Sequence, residues 1–205
     1  MKFSVFFVFI SSTLLGGELA VFAGKIVTME GRVINGGVLV TKGKKIAAIG
    51  REGEVKVPPG ATIIEAQDRW VMPAIVEAHT HIGLDGGFND MAYPLNPDLR
   101  ISDCVDFSSE DMKRALREGV VTINTMPGSG TNNSGFSVIV KTAGGKPEDR
   151  IVRDPGCMKI AQAFNPERST GDMGGTRMGM AYLLRRLLRE GKAYWEEWKR
   201  WREGK

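Results

Sequence analysis

The sequence predicts an α/β protein in which a small β-rich segment precedes a parallel strand–helix arrangement. Three observations predict it. Between residues 18 and 70 short Val- and Ile-rich runs alternate with glycine turns. After Trp70 the style changes to VMPAIVEAHTHIG, a nearly unbroken apolar run. SSEDMKRALREG and VVTINTMPG then supply a short helix and another strand.

The chain of 205 residues is long enough for one large or two small domains. Three segments are expected: 1–17, 18–70 and 71–205. In the first, Lys2 precedes an apolar run from Phe3 to Leu15 that suits a signal peptide and is too short to span a bilayer as a helix. A buried strand or an upstream extension explains the same run. With a signal peptide the protein would be periplasmic or secreted, and otherwise cytoplasmic. Cutting after Val21-Phe22-Ala23 would remove residues that read as a strand, and Leu15-Gly16-Gly17 is a weaker site in a better place.

In the second segment LAVFAGKIVTM, GGVLVTKG and KKIAAIG read as strands bounded by glycine, and Pro58-Pro59-Gly60 is a hard turn. A small β-sandwich or partial barrel is expected there. In the third, the lack of alternation in VMPAIVEA predicts a strand covered on both faces. Residues 84–107 read as loop. Ser108 or Ser109 can cap the following helix, Glu110 and Asp111 sit in its first turn, and Gly119 ends it. FSVIVKTAGG and CMKIAQAF supply further strands. The last thirty residues read as a helical segment with Leu184, Leu187, Leu188, Trp195, Trp198 and Trp201 at three- and four-residue steps.

The formal charge of +4 is local. From Tyr182 to Lys205 there are eight Lys/Arg and four Glu, which leaves the remainder neutral and argues against a nucleic-acid partner. The basic, Trp-rich tail reads as a flanking helix with its aromatics packed inward, so no membrane partner is expected. A membrane-surface or partner helix is the competing use. Cys104 and Cys157 form no CxxC motif and read as two free buried thiols, or as a single disulfide if the chain is exported.

His79 and His81 are the only two histidines. On a strand, positions i and i+2 point the same way, so both rings project together, with Glu77 one step deeper on the same face. Two imidazoles at a strand end can reach one divalent metal, and loops at strand C-termini are where parallel α/β barrels keep their sites. Ordinary hydrogen bonding at a strand end is the competing reading.

Here the residues carry a resemblance. VMPAIVEAHTHIG resembles the metal-binding first barrel strand of the amidohydrolase superfamily, whose usual form is PGxxDxHxH. AGKIVTMEGRVINGGVLVTKGKKIAAIG resembles the N-terminal sandwich of those enzymes. LREGVVTINTMPGSGTNNSGFSVIVKTAG resembles the second and third strands of imidazolonepropionase-like and dipeptidase-like members. The chain departs from the pattern at Ala74, where glycine is usual, and at Glu77, where aspartate is usual. The resemblance implies a partial TIM-type (β/α) barrel, about the first four strands, behind the sandwich. It also implies a metal-dependent hydrolase of C–N bonds acting on a small amide, cyclic amide or dipeptide through a metal-activated water. One or two divalent ions, most simply Zn, would be held by His79, His81 and a lysine of the fourth strand. That strand gives Lys159, with Lys141 as the competitor. The later histidines and the catalytic aspartate have no counterpart, so this chain by itself is expected to be inactive, and no catalytic residue is assigned. Asp85, Asp90, Asp103 and Asp106 read as solvated loop acids. A non-catalytic scaffold of the same architecture is the alternative function. A homo-oligomer is left open.

Overall fold

The computed structural model describes residues 17–168 and 173–204. The apolar run from Phe3 to Leu15, and with it most of the expected signal peptide, lies outside the described residues. The chain divides into two compact units. One takes Met1–Val76, Lys113–Val121 and Thr142–Arg150, and the other Glu77–Met112, Thr122–Lys141 and Ile151–Lys205.

The first unit is built on four strands: β1 (Glu18–Val27), β2 (Val33–Lys42), β3 (Lys45–Arg51) and β4 (Thr62–Val71). They form a single sheet in the order β3-β2-β1-β4, where a sandwich or partial barrel was expected. β1 and β2 pair antiparallel, as do β2 and β3, whereas β1 and β4 run parallel. Both faces of the sheet carry apolar side chains. Leu19, Val21, Ala23 and Ile26 cluster with Ile34, Leu39 and Ala66. On the alternate positions Ala20 clusters with Val38 and Val40, against Phe22, Val55 and Val57. Period-two alternation from a sequence apolar at successive positions therefore gives two hydrophobic faces. At Gly24 the β1–β4 register shifts, and a side chain there would run into the Gln67 carbonyl, so only glycine allows the two backbones to approach.

Strand β5 (Ile75–Thr80), helix α1 (Glu110–Arg117) and strand β6 (Val120–Thr125) follow the expected strand–helix–strand order. The Ile75 amide donates to Gly119 O and the Met126 amide to Thr80 O, so the two strands ascend together. Ser109 Oγ caps α1 by accepting from the Met112 amide at 3.3 Å, and Gly119, at φ 85°, ends it. The coverage expected for β5 is not found. Ile75 and Val76 are 43% and 66% exposed. The strand is the edge of its sheet, in the order β5-β6-β8-β9, and an apolar run records a capacity for burial, not the presence of a covering layer.

The remaining strands are β7 (Asn133–Phe136), β8 (Val138–Lys141), β9 (Ile151–Arg153) and β10 (Met158–Ile160), with a one-turn helix α2 (Pro147–Arg150). β8 pairs antiparallel with both β6 and β9, and β10 pairs antiparallel with β7 in a separate two-stranded sheet. The expectation of successive parallel strands fails here. Ser137 divides FSVIVK into two short strands, and CMKIAQAF contributes only three residues of ladder. None of the sheets described closes into a barrel. Helix α3 (Arg177–Arg202) closes the described chain, capped by Thr176 Oγ1, which accepts from the Gly179 amide at 3.1 Å. Cys104 and Cys157 are free, as one reading expected, but both are exposed instead of buried. Cys104 falls in a one-turn surface helix, Ile101–Cys104, which buries only Ile101.

Candidate metal centre

The end of β5 positions the two imidazoles. His79 lies in the strand and His81 just past it, on the same side, with ring centroids 5.7 Å apart and planes at 77°. Each ring has a different partner. His81 Nδ1 is 2.8 Å from Met126 O, and its ring stacks on Phe88 with centroids 5.1 Å apart. A carbonyl can only accept, so His81 Nδ1 is the donor, and in the neutral ring the Nε2 lone pair is then bare. His79 Nε2 is 3.1 Å from Lys159 Nζ.

Lys159, in the centre of β10, is 9% exposed, and its amine also approaches Met126 Sδ at 4.0 Å. Burial pushes its ammonium below the ordinary lysine range, because the charged form loses hydration that a thioether and an imidazole do not replace. Lys141, the competing lysine, donates to Thr122 Oγ1 at 2.9 Å on its own sheet. Glu77 Oε1 accepts from the His79 backbone amide at 3.0 Å. The structure therefore brings His79, His81 and Lys159 together.

Sequence reasoning missed Met126, Phe88 and Asn124. Met126 follows β6 and touches both halves of the cluster. Asn124 Nδ2 donates to Ala78 O at 3.1 Å and lies 3.6 Å from Cys157 Sγ, while its buried Oδ1 has no partner among the described residues. Strand alternation on β6 was the available signal for Asn124, which comes two residues before Met126. Nothing in the pattern marked Phe88, a lone aromatic in a glycine-rich loop.

Does this donor set suit a divalent ion? Two neutral imidazole nitrogens fit, and His81 has the tautomer and the carbonyl partner common to metal-bound histidines. The set is also short. Among the described residues no group of three His, Cys, Asp or Glu comes together, whereas a zinc-type site uses three or four protein ligands. The pair fits as part of a metal shell, with a lysine poised at one nitrogen.

No protein-family model matches the chain. It is similar to an imidazolonepropionase of Symbiobacterium thermophilum, 36% identical over 83 residues, which is 33% of this chain and 20% of that protein. It is also similar to the amidohydrolase tasK of Hapsidospora irregularis, 29% identical over 176 residues, 75% of this chain and 18% of that protein. Among solved structures, the amidohydrolase from Thermotoga maritima MSB8 superposes with a TM-score of 0.79 at 26% identity, over 88% of this chain and 49% of that one. The chain thus spans about a fifth of the curated relatives and half of the solved one. Over the part that these matches cover, the chain is related to the amidohydrolase superfamily.

Proposed function

We propose that the chain carries part of the metal site of a hydrolase that cleaves C–N bonds in small amides, cyclic amides or dipeptides. The observation that carries the reading is the convergence of His79, His81 and Lys159 at the end of β5. His79 and His81 would hold a divalent ion, most simply zinc, through their Nε2 atoms. Such an ion supplies Lewis acidity and lowers the pKa of bound water toward about 7.

The chain's own groups do the rest. The Met126 carbonyl fixes the His81 tautomer, and Phe88 holds its ring. Lys159 has to leave His79 Nε2 before that nitrogen can act as a ligand. As a buried amine drawn toward its neutral form, Lys159 could then add carbon dioxide at Nζ with loss of a proton, and the resulting carbamate would offer oxygen ligands to the shell. Glu77 engages the His79 backbone and steadies the strand end. On this reading the chain by itself is inactive, since no carboxylate joins the imidazoles among the described residues to move the proton.

That same shortage of ligands favours the second reading, a non-catalytic scaffold of amidohydrolase architecture. Metal content separates the two. After equilibration with zinc and dialysis, the hydrolase reading expects about one ion per chain by elemental analysis, lost in the variant H79A/H81A. Equal metal in both proteins, or background metal in both, overturns it, and the second result leaves the scaffold.

A further inference from the structure

The tail helix does not do what a flanking helix should. If α3 packed its aromatics inward, Trp195 and Trp201 would be covered, yet they are 57% and 74% exposed, and Tyr194 and Leu188 are exposed beside them. Only Met180 and Leu183, in its first two turns, are buried. Leu184, Leu187, Leu188, Trp195, Trp198 and Trp201 continue the stripe that these two begin, at three- and four-residue steps. One apolar face therefore starts inside the second unit and runs on for about five turns, half-buried at Leu184, Leu187 and Trp198 and exposed at Leu188, Trp195 and Trp201. It is pre-organised: Trp195 and Trp198 stack with centroids 5.0 Å apart, and the Arg202 guanidinium lies 4.8 Å from the Trp198 ring.

Charge selects the occupant. The helix has eight Lys/Arg against three Glu. Two of the acids are neutralised within it, Glu190 by Arg186 at 3.6 Å and Glu196 by Lys192 at 3.8 Å, in exposed pairs that hold their cations loosely. Arg185, Lys192 and Lys199 line one flank of the apolar stripe, with Lys199 in a loose exposed pair with Glu203 at 4.0 Å just past the helix. A second copy of this helix would bring like charges together. A partner that is apolar in its interior and anionic at its surface satisfies both faces at once, with Trp and Tyr at the boundary where amphipathic rings are most stable. No helix among the described residues is long and apolar enough to cross a membrane, so the helix would lie on the surface.

We propose that residues 184–202 of α3 dock the protein on an anionic lipid bilayer. Flotation of the full chain with phosphatidylserine-containing vesicles, against vesicles of phosphatidylcholine alone, tests it. Binding should be at least about tenfold stronger to the anionic vesicles, weaken with salt, and blue-shift the tryptophan emission. R185E/K192E/K199E should lose the anionic preference, and W195S/W201S should lose binding while keeping the wild-type circular dichroism spectrum. Equal partition to both vesicle types, undiminished binding by either variant, or concentration-dependent dimers abolished by W195S/W201S in place of vesicle binding would overturn the proposal. None of these measurements depends on metal, so the result stands apart from that of the metal site.

Discussion

Two regions of the molecule bury backbone in opposite ways. The sheet β1–β4 does so with aliphatic side chains on both faces. The segment from Thr131 to Ser137 does so with polar ones. Thr131, Asn132, Asn133, Ser134 and Ser137 are all buried, and Asn96 joins them from the loop after β5. There Thr131 Oγ1 and Ser134 Oγ share a hydrogen bond at 3.0 Å, and Asn133 Oδ1 accepts from the Gly135 amide at 2.9 Å. Asn96 Nδ2 donates to Tyr93 O at 2.9 Å. The backbone of 133–136 bonds to Pro94, Leu99 and, through Asn133 O, the Asn96 amide. The comparison teaches that the first region is held mainly by burial of apolar area, which tolerates repacking. The second is held by directional bonds, in which each lost partner strands another buried group.

Substitutions on either side test that contrast. The largest effect is expected at Ile26, whose side chain lies over Gly37 in the sheet. Ile26→Ala should cost about 3 kcal/mol in urea unfolding, through lost burial and a residual cavity. Asn96→Ala should cost about 2 kcal/mol, because acceptors in the polar region lose their donor. If Asn96→Leu restores the lost stability, the polar region is not held by directional bonds and the contrast fails. A smaller effect is expected at Lys159. Its folded-state pKa lies below the ordinary 10.5. The unfolded chain therefore binds more protons between the lowered value and 10.5, and stability contributed by this group rises with pH across that window. Urea midpoints at several alkaline pH values should show this slope in the wild type and its loss in Lys159→Met. An unchanged slope would show that the amine is not desolvated. The smallest effect is expected at Gly191, where an added Cβ meets nothing. Gly191→Ala should stabilise α3 by under about 1 kcal/mol, read as a small gain in helicity.

The contrast also explains what the sequence could disclose. Helix α1 was legible because Ser109 and Gly119 punctuate it by local rules. The imidazole pair was legible because strand periodicity alone aligns positions 79 and 81. GTNNSG carried no such signal: its residues favour turns, and nothing local says that they will be buried and bonded to one another inside a core. The antiparallel pairing of β10 with β7 was equally invisible, since pairing direction depends on chain path and not on composition. The apolar run before His79 spoke for burial, yet β5 is an exposed edge, because a covering layer is a property of other segments.

The two histidines also differ in freedom. His81 is held by the Met126 carbonyl and Phe88, whereas among the described residues the His79 ring meets the Lys159 amine and the edge of His81. Together they make a vice with one fixed jaw and one movable jaw. In the proposed metal site such a vice would adjust to cations of different radius, and discrimination among them would fall to whichever donors complete the shell.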